Sequence, residues 1–400
     1  MLPKGFKVGA ICSELSKKEN KKDLAIFISD VPASTAGIFT QSVVKAAPVL
    51  VDIKRLKIRC KFLGIIVNSG SANACTGVKG LEDAEYVCSV GENIFELNSG
   101  SLLCASTGVI GQYLNISKDT FSEKIKSLKE SIGKSAKKEK EAVLAIMTTD
   151  TFIKKQEREI VVKNGKIRIW GCVKGAGMIH PNLKGLHATM LSFILTDADI
   201  ESVNLQKILE ESADKSFNCI TVDGDTSTND TVLVLANGQS KTGKLSKDDF
   251  AVFVKTFEEL TLELAKSVVK DGEGATKFIE IEVKNAKTKK DAKLIASTIA
   301  TSPLFKAAMF GCDANWGRII AAAGRAGVSF KLNKVNIYIG GIHAFKDGIA
   351  LNFSEKVAKK SLSKKEIKVT VDLGMGNKSS KYYTCDFSYD YIRVNSDYRS

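Results

Sequence analysis

Residues 174–181 read Lys-Gly-Ala-Gly-Met-Ile-His-Pro, and residues 187–191 read His-Ala-Thr-Met-Leu. Together they supply a cation at Lys174, a glycine-rich turn, a peptide bond between two small residues, Ala188 and Thr189, and an apolar run that the threonine opens. Cutting that bond gives Thr189 a free α-amine beside its own hydroxyl. A threonine hydroxyl is a weak nucleophile near neutral pH, and an α-amine with a pKa of about 8 is well placed to take its proton. The dipeptide by itself says little, because Ala275-Thr276 and Ala300-Thr301 repeat it and a threonine opening a buried strand is ordinary.

The surrounding runs are more specific. Near the start stand Asp23-Leu24-Ala25, Ala36-Gly37-Ile38-Phe39-Thr40, Val67-Asn68-Ser69-Gly70-Ser71-Ala72-Asn73-Ala74 and Cys75-Thr76-Gly77. Ser106-Thr107-Gly108-Val109-Ile110-Gly111 and Met147-Thr148-Thr149-Asp150-Thr151 follow, then the polar run 216–230, Ser-Phe-Asn-Cys-Ile-Thr-Val-Asp-Gly-Asp-Thr-Ser-Thr-Asn-Asp. Gly272-Glu273-Gly274-Ala275-Thr276-Lys277, Gly311-Cys312-Asp313-Ala314-Asn315-Trp316-Gly317-Arg318 and Asn395-Ser396-Asp397-Tyr398-Arg399-Ser400 complete the series. In order and spacing these runs resemble the ornithine acetyltransferase family, the arginine-biosynthesis enzymes that self-cleave before a threonine, over nearly the full chain. One departure stands next to the bond. Leu183, Lys184, Gly185, Leu186 and His187 separate Asn182 from Ala188, where the family runs almost directly from Pro-Asn into Met-Ala-Thr, and an insertion there bears on the strain at the cleavage site.

The resemblance implies an α+β fold shared by ornithine acetyltransferases and the related self-cleaving aminopeptidases, with a smaller C-terminal α/β domain over about 285–400. It implies cleavage into an α fragment, 1–188, and a β fragment, 189–400, assembled as a heterotetramer with two copies of each. Thr189 is then the nucleophile, and the Thr107 hydroxyl with the Gly108 amide forms the oxyanion hole. Acyl transfer needs such donors because negative charge develops on oxygen. Thr151, Lys174, Thr189, Glu273, Asn395 and Ser400 line the substrate site, Ser400 standing where the family commonly has threonine. An N-acetylated amino acid offers a carboxylate to Lys174, and the ornithine side chain offers a cation to Glu273. The implied reaction passes an acetyl group from N2-acetyl-L-ornithine to L-glutamate through an ester on Thr189, without metal or organic cofactor. Family members differ in whether acetyl-CoA is also a donor. The alternative on the same fold is an aminopeptidase or amidase in which water resolves the acyl-enzyme.

Read without the resemblance, Ser106-Thr107-Gly108 is a tight turn after the apolar Leu102 and Leu103, and is neither a Walker loop nor a dinucleotide fingerprint. Composition fits a cytoplasmic enzyme: 400 residues, 44% hydrophobic and 26% charged, hold a large core in two domains or two closely packed halves. The N-terminal residues show neither a signal nor a transit pattern, and no segment approaches the roughly eighteen apolar residues of a membrane span. Nine cysteines, Cys12, Cys60, Cys75, Cys88, Cys104, Cys172, Cys219, Cys312 and Cys385, contain no Cys-x-x-Cys pair, which argues against a disulfide framework and a zinc site. His180, His187 and His343 match no metal motif. The net charge of +14 raises a nucleic-acid-binding alternative, carried by the lysines of residues 134–140. Those lysines follow the stripe Phe121, Ile125, Leu128 and Ile132 and read as a helix's solvated face and the turn after it.

The remaining elements are legible from pattern. Residues 159–162 and 166–172 flank Asn164-Gly165, a hairpin signal. A helix is expected after Ser246, with Phe253, Phe257, Leu260, Leu264 and Val268 on one stripe and Asp249 at capping-box spacing. Residues 278–283 alternate apolar and acidic, the mark of a half-exposed strand, and no regular βαβ repeat appears.

Overall fold

The computed structural model describes residues 1–16, 21–181 and 190–397, with Lys118 described by its backbone alone. Ala188, Thr189, residues 183–187 and Ser400 lie outside the described residues. The chain opens with β1 (Phe6–Ile11) and the long β2 (Leu24–Phe39), then α1 (Ala47–Ile58), β3 (Lys61–Ser71), α2 (Gly77–Ile94) and β4 (Leu102–Val109). Helices α3 (Lys118–Ser131) and α4 (Ala136–Ile146) precede the hairpin of β5 (Lys154–Val162) and β6 (Gly165–Lys174). Next come β7 (Leu191–Thr196), α5 (Ser202–Lys215), β8 (Thr231–Ala236) and α6 (Lys247–Lys270). The rest comprises β9 (Phe278–Ala286), α7 (Lys289–Ala300), α8 (Pro303–Phe310), α9 (Trp316–Gly324), β10 (Asn336–Ile339), β11 (Ile342–Lys346) and β12 (Ile349–Ala350). It ends with α10 (Glu355–Leu362), β13 (Glu366–Asp372), β14 (Lys378–Cys385) and α11 (Tyr389–Asp397).

Among the described residues the first sheet has eight strands in the order β4-β3-β2-β8-β7-β6-β5, with β1 paired to β2. β3 and β4 are parallel across α2, and β7 and β8 are parallel across α5, while the other neighbours are antiparallel, so the class is α+β. Four strands separate β4 from β6 in that order, about 24 Å in a flat sheet at about 4.8 Å per step. Lys174 at the end of β6 is nonetheless bonded to Thr107 of β4, at 3.1 Å. The sheet must curl on itself, and it does so around an apolar cluster in which Phe27 packs against Trp170 and Phe193, with α4 on top.

Helix α6 joins this sheet to the second. Its stripe Phe253, Phe257, Leu260, Leu264 and Val268 is fully buried, as the spacing predicts. The Ser246 hydroxyl accepts the Asp249 amide and donates to the Asp249 carboxylate, a capping box closed side chain to side chain. Leu260 and Leu264 lie on Gly171 of β6, where a Cβ would come within 3.0 Å of Leu264. The same helix touches β14, so one core cluster runs through both sheets. The second sheet, β12-β11-β10-β13-β9-β14, begins at Phe278. β9 lies inside it, with Ile279, Ile281 and Val283 buried and Glu280 and Glu282 paired on the other face to Lys381 and Lys368.

Three local expectations change. The hairpin turn is Lys163-Asn164, because Gly165 already pairs with Val162, and both strands run longer than the alternation suggested. Residues 134–140 do not form a turn after α3. Ser135 accepts the Lys138 amide and starts α4, whose opening turns carry the lysines. Ser106-Thr107-Gly108 is likewise not a turn but the end of β4, in parallel register with Asn68, Ser69 and Gly70 of β3. Leu264→Ala removes the side chain that fills the space above Gly171, and the expected loss is about 2–5 kcal/mol, read as a lower denaturant midpoint.

Candidate active site

The site begins with a buried amine. Lys174 ends β6, and its Nζ donates to Thr107 Oγ1 at 3.1 Å and to Thr148 Oγ1 at 2.9 Å. Burial holds the Lys174 pKa below the usual lysine value, opposed by the Asp150 carboxylate. An ammonium only donates, so both hydroxyls accept from it and keep their own protons to give elsewhere, in the case of Thr107 into the cavity that it lines.

Behind Lys174 lies a buried ionic cluster. Asp150 accepts the Lys154 ammonium at 2.5 Å and the Gly175 amide at 2.6 Å. Burial alone would raise the Asp150 pKa, but Lys174 and Lys154 bring it down to about 2. Lys154, 2% exposed, also pairs with Asp271. Asp271 accepts the Thr151 amide at 3.1 Å and the Thr151 hydroxyl. The Thr151 hydroxyl is thus committed away from the cavity, and Thr148 and Thr149 line that wall in its place.

Gly108 lines the cavity beside Thr107. Its glycine is demanded first by the neighbouring strand, because at φ +139° a Cβ would come within 2.3 Å of the Gly70 carbonyl carbon. Asn229 ties this edge down by donating to the Ser106 carbonyl at 2.8 Å and to the Ala72 carbonyl. The opposite wall carries acid. Glu273 donates its amide to the Ala176 carbonyl at 2.9 Å, and its Oε2 accepts Asn395 Nδ2 of α11 at 3.0 Å. Gly177 leaves room for that carboxylate, since a Cβ there would meet Glu273 Oε2 at 2.3 Å. Asp223 accepts the Met178 and Ile179 amides at 2.6 and 2.9 Å and so holds the segment that leads to Pro181.

These walls enclose a cavity of about 670 Å³, which Lys21, Asp225, Met190 and Tyr391 also line. The structure therefore brings Thr107, Gly108, Lys174, Glu273 and Asn395 together and leaves Thr151 out. Thr189, Ala188 and Ser400 lie outside the described residues, but Leu191, two residues beyond Thr189 in sequence, pairs with Lys174 and lines the same cavity. Thr148, Asp150 and Asp223 sit inside runs singled out in the sequence, and polar residues crowded among small ones were their signal. Lys21, Lys154 and Asp271 carried none, since nothing in their local pattern marks them as buried or facing a cavity. Among the described residues no cluster of three or more His, Cys, Asp or Glu side chains is placed to hold a metal ion, and no helix is long and apolar enough to cross a membrane.

Asp150→Asn removes the charge that Lys154 and Lys174 share, and the expected loss is about 3–5 kcal/mol in denaturant unfolding at neutral pH. The sign with pH follows from the depressed pKa. The Asp150 contribution is full above the unfolded value of about 4 and lost as pH falls through about 2, so the variant should lose less stability than the parent over that window.

The ArgJ family model matches residues 7–400. The chain is 43% identical over 405 residues to the arginine biosynthesis bifunctional protein ArgJ of Caldanaerobacter subterraneus subsp. tengcongensis, with 100% of this chain and 98% of that protein covered. It is 42% identical over 400 residues to the same-named protein of Bacillus subtilis, covering 100% and 96%. A crystal structure of arginine biosynthesis bifunctional protein ArgJ from Bacillus halodurans is 43% identical with a TM-score of 0.51, matching 52% of this chain and 100% of that chain. The chain belongs to the ArgJ family.

Proposed function

We propose that the chain cleaves itself between Ala188 and Thr189 and then transfers an acetyl group from N2-acetyl-L-ornithine to L-glutamate, as a step of arginine biosynthesis. The observation that carries this reading is the Lys174–Thr107 bond, at 3.1 Å, in a cavity that also holds Gly108 and meets the start of β7. The new α-amine takes the proton of the Thr189 hydroxyl, and Oγ attacks the acetyl carbonyl. Thr107 and Gly108 donate to the oxygen as its charge develops. The C–N bond breaks, ornithine leaves with the proton, and an acetyl ester remains on Thr189. The amine of glutamate attacks that ester, the new C–N bond forms as the C–O bond breaks, and the Thr189 hydroxyl regains its proton. Lys174 faces the substrate carboxylate, and Glu273 and Asn395 face the ornithine ammonium. The reaction needs neither metal nor organic cofactor.

Strand order supports cleavage without separation. β7 and β8, which follow the bond, stand between β2 and β6, which precede it. Full coverage of the Bacillus halodurans chain by 52% of this one is the match that a chain left by such a cut would give. We place the product in the cytoplasm as a heterotetramer of two α and two β fragments.

Intact-mass spectrometry of purified protein should give two masses, those of residues 1–188 and 189–400, and Thr189→Ala should give one uncut chain without transfer. A single uncut chain with full activity sinks the mechanism. Thr107→Ala should lower kcat roughly a hundredfold with little change in KM. A change in KM alone would remove Thr107 from the oxyanion hole.

A further inference from the structure

A ping-pong transfer at one nucleophile admits a cationic side chain first and an anionic one next. The acidic wall suits only the first. Glu273, Asp223 and Asp225 line it together, and an acceptor carboxylate placed there meets like charge. Lys174 cannot hold both carboxylates of glutamate. Two of its three donors are taken by Thr107 and Thr148, which leaves one for the α-carboxylate that donor and acceptor share. The side-chain carboxylate needs another cation.

Lys21 lines the same cavity, and its Nζ donates to the Met147 carbonyl. Met147 directly precedes Thr148, so Lys21 stands on the Thr148 side of Lys174, whereas Glu273 stands on the Gly177 side. Building on the transfer reading, we propose that the cavity has two side-chain subsites of opposite charge, and that Lys21 binds the side-chain carboxylate of the glutamate acceptor. The ornithine side chain points to Glu273 and Asp225, and the glutamate side chain points to Lys21. Both substrates keep their α-carboxylate on Lys174 and their nitrogen at the reacting carbon. Lys21 thereby determines which acceptor discharges the ester and takes no part in the chemistry.

The test separates the two half-reactions. Acetyl-enzyme is formed with N-acetylornithine, freed of ornithine, and discharged with glutamate or with the uncharged glutamine, the fragment mass reporting the acetyl group. In Lys21→Met the glutamate concentration for half-maximal discharge should rise roughly ten- to a hundredfold, as for a lost hydrogen bond between charged groups. Discharge by glutamine should change far less, so the preference for glutamate collapses, and Lys21→Arg should restore it. Equal losses with both acceptors, or unaltered discharge by glutamate, overturn the proposal while leaving the transfer intact. A parent enzyme that accepts glutamine as readily as glutamate overturns it without any variant. A parent enzyme that takes up no acetyl group overturns the transfer reading and this one with it.

Discussion

The bond from the Lys174 ammonium to the Thr107 hydroxyl, at 3.1 Å, is the contact on which the site's construction depends. The two residues belong to strands far apart in the sheet order, so the bond exists only if the sheet has curled. Curling requires something to curl around, which Phe27, Trp170 and Phe193 supply. A site built in this way inherits the rigidity of a packed core, so the proposed oxyanion role of Thr107 would need little reorganisation when charge appears.

A buried ammonium is costly unless neighbouring carboxylates compensate it. Asp150 is that compensation, and Lys154 and Asp271 extend it into an alternating row of charges. The row has a geometric effect as well. It holds the backbone at Thr151 and Gly175, three residues after Thr148 and one after Lys174, so the charges that offset the Lys174 burial also fix the segments that aim it. Stability and positioning here have one physical source. Loss of Asp150 should accordingly disturb the alignment of Thr107 along with the stability of the fold.

Much of the architecture was legible where the chain's periodicity is strong. The α6 stripe and its Ser246 cap, the β5–β6 hairpin and the alternating β9 follow from local pattern, because each packs one clean face against a core. Ser106-Thr107-Gly108 misled for a physical reason. Small polar residues and a glycine at positive φ usually mark a turn, but here the glycine answers a parallel strand lying too close for a Cβ. Five of the expected site residues meet in the cavity, and Thr151 does not, because an acidic residue 120 positions away captures its hydroxyl. No local pattern carries that information. Asp271 and Lys154 become partners of the site only through the tertiary fold, and the same holds for Lys21.

The sheet order also bears on the proposed cut between Ala188 and Thr189. Hydrogen-bonded ladders join β8 to β2 and β7 to β6, so every strand that follows the bond in this sheet is held by one that precedes it. Helix α6, from the second half, lies on β5 and β6 of the first. The apolar surface between the halves is core and carries core burial energies, and one broken peptide bond would leave that surface unchanged. What the proposed cut would change is local: it would free the amine of Thr189, two residues in sequence before Leu191, which is paired to Lys174. Insertion of β7 and β8 between strands of the first half would thus hold the fragments of the proposed cut together. A chain whose halves formed separate sheets would have to hold together through a surface interface alone.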